Sequence, residues 1–582
     1  MNKIRSIIQD PRSALFAVFA VTVLAYSNIF WNGFTLDDFD YIANWPLIRD
    51  WHNLPRFFSG FIPPDGQSAV YAPLKTVVHC VLYQLGSGLP WAFQLAGLLA
   101  HLAATSLVYR IALLLLGSRP VAFLSALLFG LHPVHAEAVT HMTAATDTLG
   151  VVWMLASFYF YIRSSSYSGE WEIGEKAAVM KTAEARHALR ESAGGTRPQK
   201  AYVLAVIFAF LAVYTSELAM TLPVLFFIFD ACVRRGAQGW NALCRRAAPF
   251  AGAVLSYALL KWLVLGEWTR SGYLHDSFYL TFLVFIKAAV KYAGILLCPA
   301  VLTHNHIISP GIFSFAPKDF NAAAVLSQSP KDPWTMASIL VLAVFAAGAL
   351  ALRKKKPFVA FAVAWFFILL LPASNIIPGQ IYFAERYAYA SSAAFCILLA
   401  YGLYAGWLAR PAGWGRTAVV VLVAGIAGFY LARTWLRNTD WHDQAAIYES
   451  AVRANRQSAL LRHDLGVVYL YRGDMDSAVT YLEEAIWMRP NEAAFYFSAE
   501  QAYSALGQFD KAIQSLQKAV ELNPEFAEAY YNLAGIHLHL GRDQEAQSYL
   551  AKALEQYRRQ GRILEAGEAL NKVLVFKAMN KK

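Results

Sequence analysis

Two adjacent carboxylates, Asp37 and Asp38, with a third at Asp40, open a loop just beyond an apolar run that ends near Trp31. Neighbouring carboxylates raise one another's pKa by mutual repulsion, and partial desolvation raises them further, which is the tuning a general base needs. The same oxygens suit a divalent cation, with Asp37 and Asp38 as its ligands, and a solvated loop whose aspartates cap a helix is the third option. A second cluster is His132, His135 and Glu137, followed by His141 and Asp147. Two histidines three apart with a carboxylate can hold a metal, but Pro133 interrupts them and a fourth ligand is missing. A hydrogen-bonded helix end and the polar wall of an active-site cavity compete with that reading. Glu217 stands between two apolar runs, where an ionisable group is costly unless it pairs or faces a cavity. Glu385 and Arg386 lie side by side at the start of a later run. Arginine is shaped to grip a phosphate through two parallel N–H bonds, and an ion pair that anchors the helix is the alternative. His304 and His306 sit in what reads as a loop tip.

The elements that must position these groups are apolar. The 582 residues are 57% hydrophobic and 15% charged, whereas soluble domains carry about 25% charged residues. Runs able to cross about 30 Å of hydrocarbon lie near 12–32, 92–116, 120–133, 143–163, 201–215, 218–233, 247–265, 335–352, 358–371, 388–408 and 415–434. About eleven spans follow, the first a retained helix because no small-residue cleavage site is obvious after it. The run 278–299 is apolar too, yet Lys287 and Lys291 interrupt it at i, i+4, so an interfacial or re-entrant helix with snorkelling lysines is expected there. Residues 68–86 are expected to lie along the interface in the same way.

The net charge of +11 is carried by short clusters between the runs, around Arg110 to Arg119, Arg163 to Lys200, Arg234 to Arg246, Arg353 to Lys356 and Arg410 to Arg416. That is a positive-inside topology signal rather than the contiguous basic stripe of a nucleic-acid binder. With the N-terminus cytoplasmic, all five clusters fall on the cytoplasmic side and all the polar groups above share the other face, an outer cavity near the phosphate plane. The five cysteines include no CxxC pair, which argues against a disulfide framework or a zinc site.

After about residue 436 the chain changes character. Gly473, Gly507 and Gly541 recur at a fixed step of 34 residues, as do Ala478, Ala512 and Ala546, and Pro490 and Pro524. A helix-turn-helix repeat of that period is the tetratricopeptide signature. The chain therefore divides into a membrane domain, 1–436, and a soluble repeat domain, 437–582, with repeats near 457–490, 491–524 and 525–558. The expected fold class is all-α, a polytopic helical bundle followed by an α-solenoid. Tyr448 and Ala451 mark an upstream half-unit, and a polar terminal helix ending at Lys581 and Lys582 is expected to cap the stack. A concave helical surface of this kind receives peptides or partner proteins.

The Asp37–Asp38 loop, Tyr71-Ala72-Pro73-Leu74, the run from His132 through Glu137 to Asp147, Ser216-Glu217 with Leu222, Pro223 and Asp230, and Ser374-Asn375 with Glu385-Arg386-Tyr387 together resemble the transmembrane and tetratricopeptide repeat-containing family. Its membrane part is of the GT-C glycosyltransferase type, and the resemblance covers nearly the whole chain. It implies transfer of a sugar, typically mannose, from a polyprenyl-phosphate carrier to a protein hydroxyl on the outer face of the membrane. Asp37 or Asp38 would deprotonate the acceptor in a single displacement that inverts the anomeric carbon. The donor phosphate would be held by Arg386 beside Glu385, helped by Lys287 and Lys291. His132, His135, Glu137, Asp147 and Glu217 would line the cavity, and the repeats would select the acceptor polypeptide. No cofactor is required with certainty, a divalent cation being the open case. The chain departs from the family pattern at Ala72, Ala145 and Ser216, where cations are expected, and Lys75 joins Arg386, Lys287 and Lys291 as a substitute cation.

Two other classes compete: a non-enzymatic membrane-anchored repeat scaffold, for which eleven spans are excessive, and a transporter or ligase of lipid-linked glycans. A transporter needs a polar path through the membrane centre, whereas the ionisable groups here gather at one end. A bacterial inner membrane with periplasmic repeats is the expected location.

Overall fold

The computed structural model describes residues 2–59, 71–164, 198–233, 240–266, 272–309, 312–314, 329–379, 381–411, 413–562, 564–567 and 570–571. The Arg234–Arg235 pair, most of the stretch between Arg163 and Lys200, part of the interfacial stretch at 68–86 and the terminal Lys581–Lys582 lie outside the described residues. The chain forms two compact units, Met1–Asp443 and Gln444–Lys582.

Among the described residues of the first unit, nine helices are long and apolar enough to cross a membrane. Eight of them coincide with expected spans. Three more of the expected spans are too short to cross by themselves: Arg119–Leu131, Leu222–Val233 and Pro357–Ile368. Each adjoins a single turn of 3-10 helix, at Pro133–His135, Glu217–Thr221 and Leu371–Ser374 respectively. A helix that stops inside the hydrocarbon leaves backbone groups unpaired, and such irregular backbone persists only where protein buries it or water reaches it. The three short helices therefore mark one end of the bundle as the place where a polar site can form. Starts and stops follow local chemistry: Asp10 caps the helix at Pro11 by accepting from the Ser13 amide at 2.9 Å, and Gly117 ends the helix Trp91–Leu116 in the left-handed region.

The ninth helix is Phe278–Leu297. Its length would let it cross, but its contacts lie along the site end of the bundle. The Tyr273 hydroxyl before it donates to the Ile376 carbonyl at 3.0 Å, Lys287 in its middle pairs with Asp332 at the start of the next helix, and the Leu296 carbonyl meets His132 Nε2 at 3.1 Å. Ile376, Asp332 and His132 all stand at helix ends on that side, so the polar contacts of this helix gather at the site end.

Close packing brings the site segments together. A Cβ on Gly150, in the helix Met142–Ser164, would stand 2.7 Å from the Ser216 Cβ, so only glycine lets the segment bearing Glu217 approach. In the second unit seven helices alternate from Gln444–Ala454 to Asp543–Arg559. Gly473, Gly507 and Gly541 adopt φ of 80°, 72° and 70° at the turns inside successive repeats, and Ala478, Ala512, Ala546 and Leu482, Leu516, Leu550 are buried between the helices. Among the described residues the fold is all-α as expected, with one antiparallel strand pair, Ile307–Ser309 against Ile312–Phe313.

Gly150→Ala should destabilise the membrane unit by about 1–3 kcal/mol, the usual cost of overpacking. A lowered midpoint of thermal unfolding in detergent would show it. Gly425→Ala, whose Cβ would meet nothing within 4 Å, should leave that midpoint unchanged or slightly raised.

Candidate functional site

The helix Pro11–Tyr26 passes into a 3-10 turn, Ser27–Trp31, and then into the loop that carries the aspartates. Leu36 takes φ 47°, a left-handed conformation unusual for a branched side chain, and it turns the next two carboxylates to opposite sides. Asp38 is fully buried. Its Oδ2 accepts from the Thr35 amide and hydroxyl at 3.1 and 3.3 Å, and its Oδ1 from the Thr143 amide and hydroxyl at 2.8 and 2.7 Å. His141 Nε2 lies a further 3.3 Å from Oδ1. Asp37 is exposed and makes no hydrogen bond to any described residue. Partial burial raises its pKa, but the fields of His141, Arg386 and Lys75 outweigh that and hold the carboxyl below its ordinary value. Burial, reinforced by Arg386, pushes His304 down to about 3, so this ring is neutral at physiological pH.

Glu137, Asp147, Glu217 and Glu385 each have a cation drawn from a distant part of the chain. Glu137 accepts from the Arg386 guanidinium at 2.7 Å and from the Arg386 amide at 3.1 Å. Asp147 receives Lys75 at 2.9 Å. Glu217 receives Lys261 at 2.7 Å and the Tyr257 hydroxyl at 3.0 Å, although that hydroxyl also reaches the Tyr71 carbonyl at 2.6 Å and its one proton serves one of them. Glu385 is held by the Thr303 amide at 2.7 Å, His306 at 2.9 Å and Arg437 at 3.2 Å.

The structure thus brings Asp37, Arg386, Glu137, Lys75 and Asp147 within electrostatic reach of one another and corrects several expectations. Glu385 is completely buried and saturated, so it braces the loop beside Arg386 and cannot meet a phosphate. Lys287 is buried against Asp332, away from Arg386. Lys291 donates to the Ile307 carbonyl and stands over the Phe383 ring, on the Glu385 side. His132 and His135 line no open cavity. Both are buried, His132 on the Leu296 carbonyl and His135 on the Ser392 hydroxyl at 2.7 Å, within an aromatic cluster that includes His101, Phe129 and Tyr389. Asp37 and Asp38 do not fit a chelate, because the four donors on Asp38 leave its oxygens no direction for a cation. Among the described residues no group of three or more His, Cys, Asp or Glu is arranged to hold a metal.

Lys261, Tyr257, Arg437, Asn438 and Trp441 were not found from the sequence. Lys261 had a signal: an ionisable side chain near the end of a 26-residue apolar helix needs a partner. Ser216 stands where a cation is expected, and the neighbouring Glu217 takes Lys261 instead.

Comparison with known proteins agrees with this architecture. Models of the TPR repeat match residues 501–541, and of the tetratricopeptide repeat residues 460–493 and 527–560. The mouse protein O-mannosyl-transferase TMTC3 is 22% identical over 541 residues, covering 84% of this chain and 52% of its own. The Drosophila melanogaster protein O-mannosyl-transferase Tmtc1 is 24% identical over 583 residues, covering 82% of this chain and 62% of its own. The chain spans about half the length of the first of these relatives. Among solved structures, the crystal structure of MamA is 21% identical over 24% of this chain and 88% of its own, at a TM-score of 0.19. The resemblance read from the motifs is borne out: this is an integral membrane protein with tetratricopeptide repeats, similar along most of its length to the transmembrane and tetratricopeptide repeat-containing proteins.

The two aspartates should separate in a stability measurement. Asp38→Asn keeps one acceptor oxygen and sets an amide against the donors, and it should cost about 2–4 kcal/mol. Asp37→Asn should change stability by less than about 0.5 kcal/mol. Thermal unfolding of the two purified variants beside the wild type checks both.

Proposed function

We propose that the membrane unit transfers a sugar from a polyprenyl-phosphate carrier to hydroxyl groups of protein acceptors on the extracytoplasmic face, with Asp37 as the base. The observation that carries this reading is the contrast within the site: Asp38, Glu137, Asp147, Glu217 and Glu385 are all held by hydrogen bonds, whereas Asp37 is exposed, makes none to any described residue and stands beside Arg386. The names of the relatives, protein O-mannosyl-transferases, support a protein acceptor and make mannose the first sugar to try.

The residues divide the work. Asp37, held as the anion, takes the proton of the acceptor hydroxyl as its oxygen attacks the anomeric carbon. The bond from that carbon to the phosphate oxygen breaks on the opposite face, its electron pair leaving with the polyprenyl phosphate, and the configuration inverts. The Glu137 carboxylate occupies only one nitrogen of the Arg386 side chain, which fixes the guanidinium and leaves its other N–H groups for the phosphate. Lys75 is the next cation within electrostatic reach of Asp37. A leaving phosphate is already acidic, so no general acid is needed.

Arg110, Arg119, Arg353 to Lys356, Arg410 and Arg416 lie at helix ends opposite the site. The positive-inside rule then turns the site outward, in a bacterial inner membrane toward the periplasm. The membrane unit would be the glycosyltransferase and the repeats, on the extracytoplasmic side, would recruit the acceptor polypeptide.

The test is transfer of radiolabelled hexose, mannose first, from polyprenyl phosphate to endogenous membrane proteins. Asp37→Asn should lower kcat/KM by about 100- to 10,000-fold at unchanged abundance, and Arg386→Gln should weaken transfer as well. A wild type that transfers nothing from any hexose donor, or an Asp37→Asn variant that transfers normally, would leave the scaffold reading in its place. Because the folded-state pKa of Asp37 is lowered, its base form persists as pH falls. The acid limb of the kcat/KM profile should therefore lie below about pH 4, the ordinary value for an aspartate.

A further inference from the structure

The last segment of the membrane unit touches both the stretch that leads into the aspartate loop and the stretch that loop leans on. Asn438 is fully buried and uses both ends of its amide. Its Nδ2 donates to the Ala25 carbonyl at 3.0 Å and to Asn28 Oδ1 at 2.9 Å, and its Oδ1 accepts from the Thr140 hydroxyl at 3.2 Å. Its carbonyl accepts from Asn32 Nδ2 at 3.1 Å. Three residues later Trp441, 1% exposed, lies nearly parallel to the His141 ring, with centroids 5.1 Å apart and 20° between the planes. The next carbonyl, of His442, accepts from the Gly33 amide at 2.8 Å.

These contacts fall on two lines. One runs through Asn28, Asn32 and Gly33 to Asp37, four residues beyond Gly33. The other runs through Thr140 and His141 to Thr143, which holds Asp38. Asn438 and Trp441 thus clamp the aspartate loop from one side and the segment it leans on from the other. A buried amide with all its bonds made fixes geometry, because any shift leaves polar groups unpaired in a poor dielectric. The left-handed Leu36 makes the same point from inside the loop: its conformation is unfavourable and holds only while the surroundings enforce it.

We propose that Asn438 and Trp441 are positioning residues for the transfer reaction, which hold the Gly33–Asp38 loop so that Asp37 faces Arg386, Lys75, His141 and His304. This inference rests on Asp37 being the base. It predicts an effect that neither lost stability nor lost substrate contact produces. When the clamp is loosened, Asp37 moves away from the cations that depress its pKa, while Asp38 and Asp40 remain its neighbours in the chain. Its pKa then rises toward the ordinary carboxylate value.

The experiment uses the full-length protein in detergent and the polyprenyl-phosphate mannose assay, with Asn438→Ala and Trp441→Leu beside the wild type. Expected are a fall in kcat of roughly 10- to 100-fold, little change in KM for the donor, and an acid limb of kcat/KM displaced to higher pH. The position of the limb does not depend on how much of the sample is folded, so partial misfolding of one variant does not hide it. A limb that stays in place in both variants while the amplitude falls overturns the proposal, as does unchanged kcat. If the wild type transfers nothing, or Asp37→Asn transfers normally, the assignment of the base fails first, and the failure is then distinguishable from that of the clamp.

Discussion

A charge inside or beside hydrocarbon must find an opposite charge, and in this protein that requirement shapes the site more than any other. Transfer of an ion out of water costs several kcal/mol even after the protein relaxes. Glu137, Asp147, Glu217 and Glu385 meet the requirement through Arg386, Lys75, Lys261 and Arg437, which lie 249, 72, 44 and 52 residues away in the chain. Each pair fastens the end of one helix to a different segment. The pairs thus do two things at once: they neutralise charge at membrane depth, and they fix the segments that surround the site.

The short helices belong to the same logic. Arg119–Leu131, Leu222–Val233 and Pro357–Ile368 stop before a full crossing, and their free ends pass into single 3-10 turns that bear or adjoin His135, Glu217 and Ser374. Phe278–Leu297 makes its polar contacts at that same end. A bundle of full-length helices would satisfy its backbone everywhere and would have no reason to hold polar side chains. The irregularity and the chemistry occupy the same end because each is tolerable only in the presence of the other.

Much of this was legible in the sequence, for identifiable reasons. The repeats declare themselves because a 34-residue period is written into Gly473, Gly507 and Gly541. The long spans are legible because hydropathy is local. Asp37, Glu137, Glu217 and Arg386 stood out because an ionisable residue among apolar ones is conspicuous wherever it pairs. Which acid pairs with which base was not legible, since nothing local ties residue 137 to 386. For the same reason His132 and His135 were taken for a cavity wall when they are core, and Glu385 for a phosphate contact when it is a brace. Asn438 and Trp441 gave no signal at all. An amide and an indole at the end of an apolar helix are common, and their importance lies entirely in what folds against them.

The exposed Asp37 among buried pairs bears on how the site responds to dissolved salt. Mobile ions screen charges over about 8 Å at physiological ionic strength, but they do so only where they can approach. Arg437 and Glu385 are nearly inaccessible, and Arg386 and Glu137 are largely so; their attraction is indifferent to the medium. The field that Arg386 and Lys75 exert on Asp37 acts on an exposed group and is not. The architecture of the site is thereby insulated from its surroundings, while the one group free to react remains in electrical contact with them.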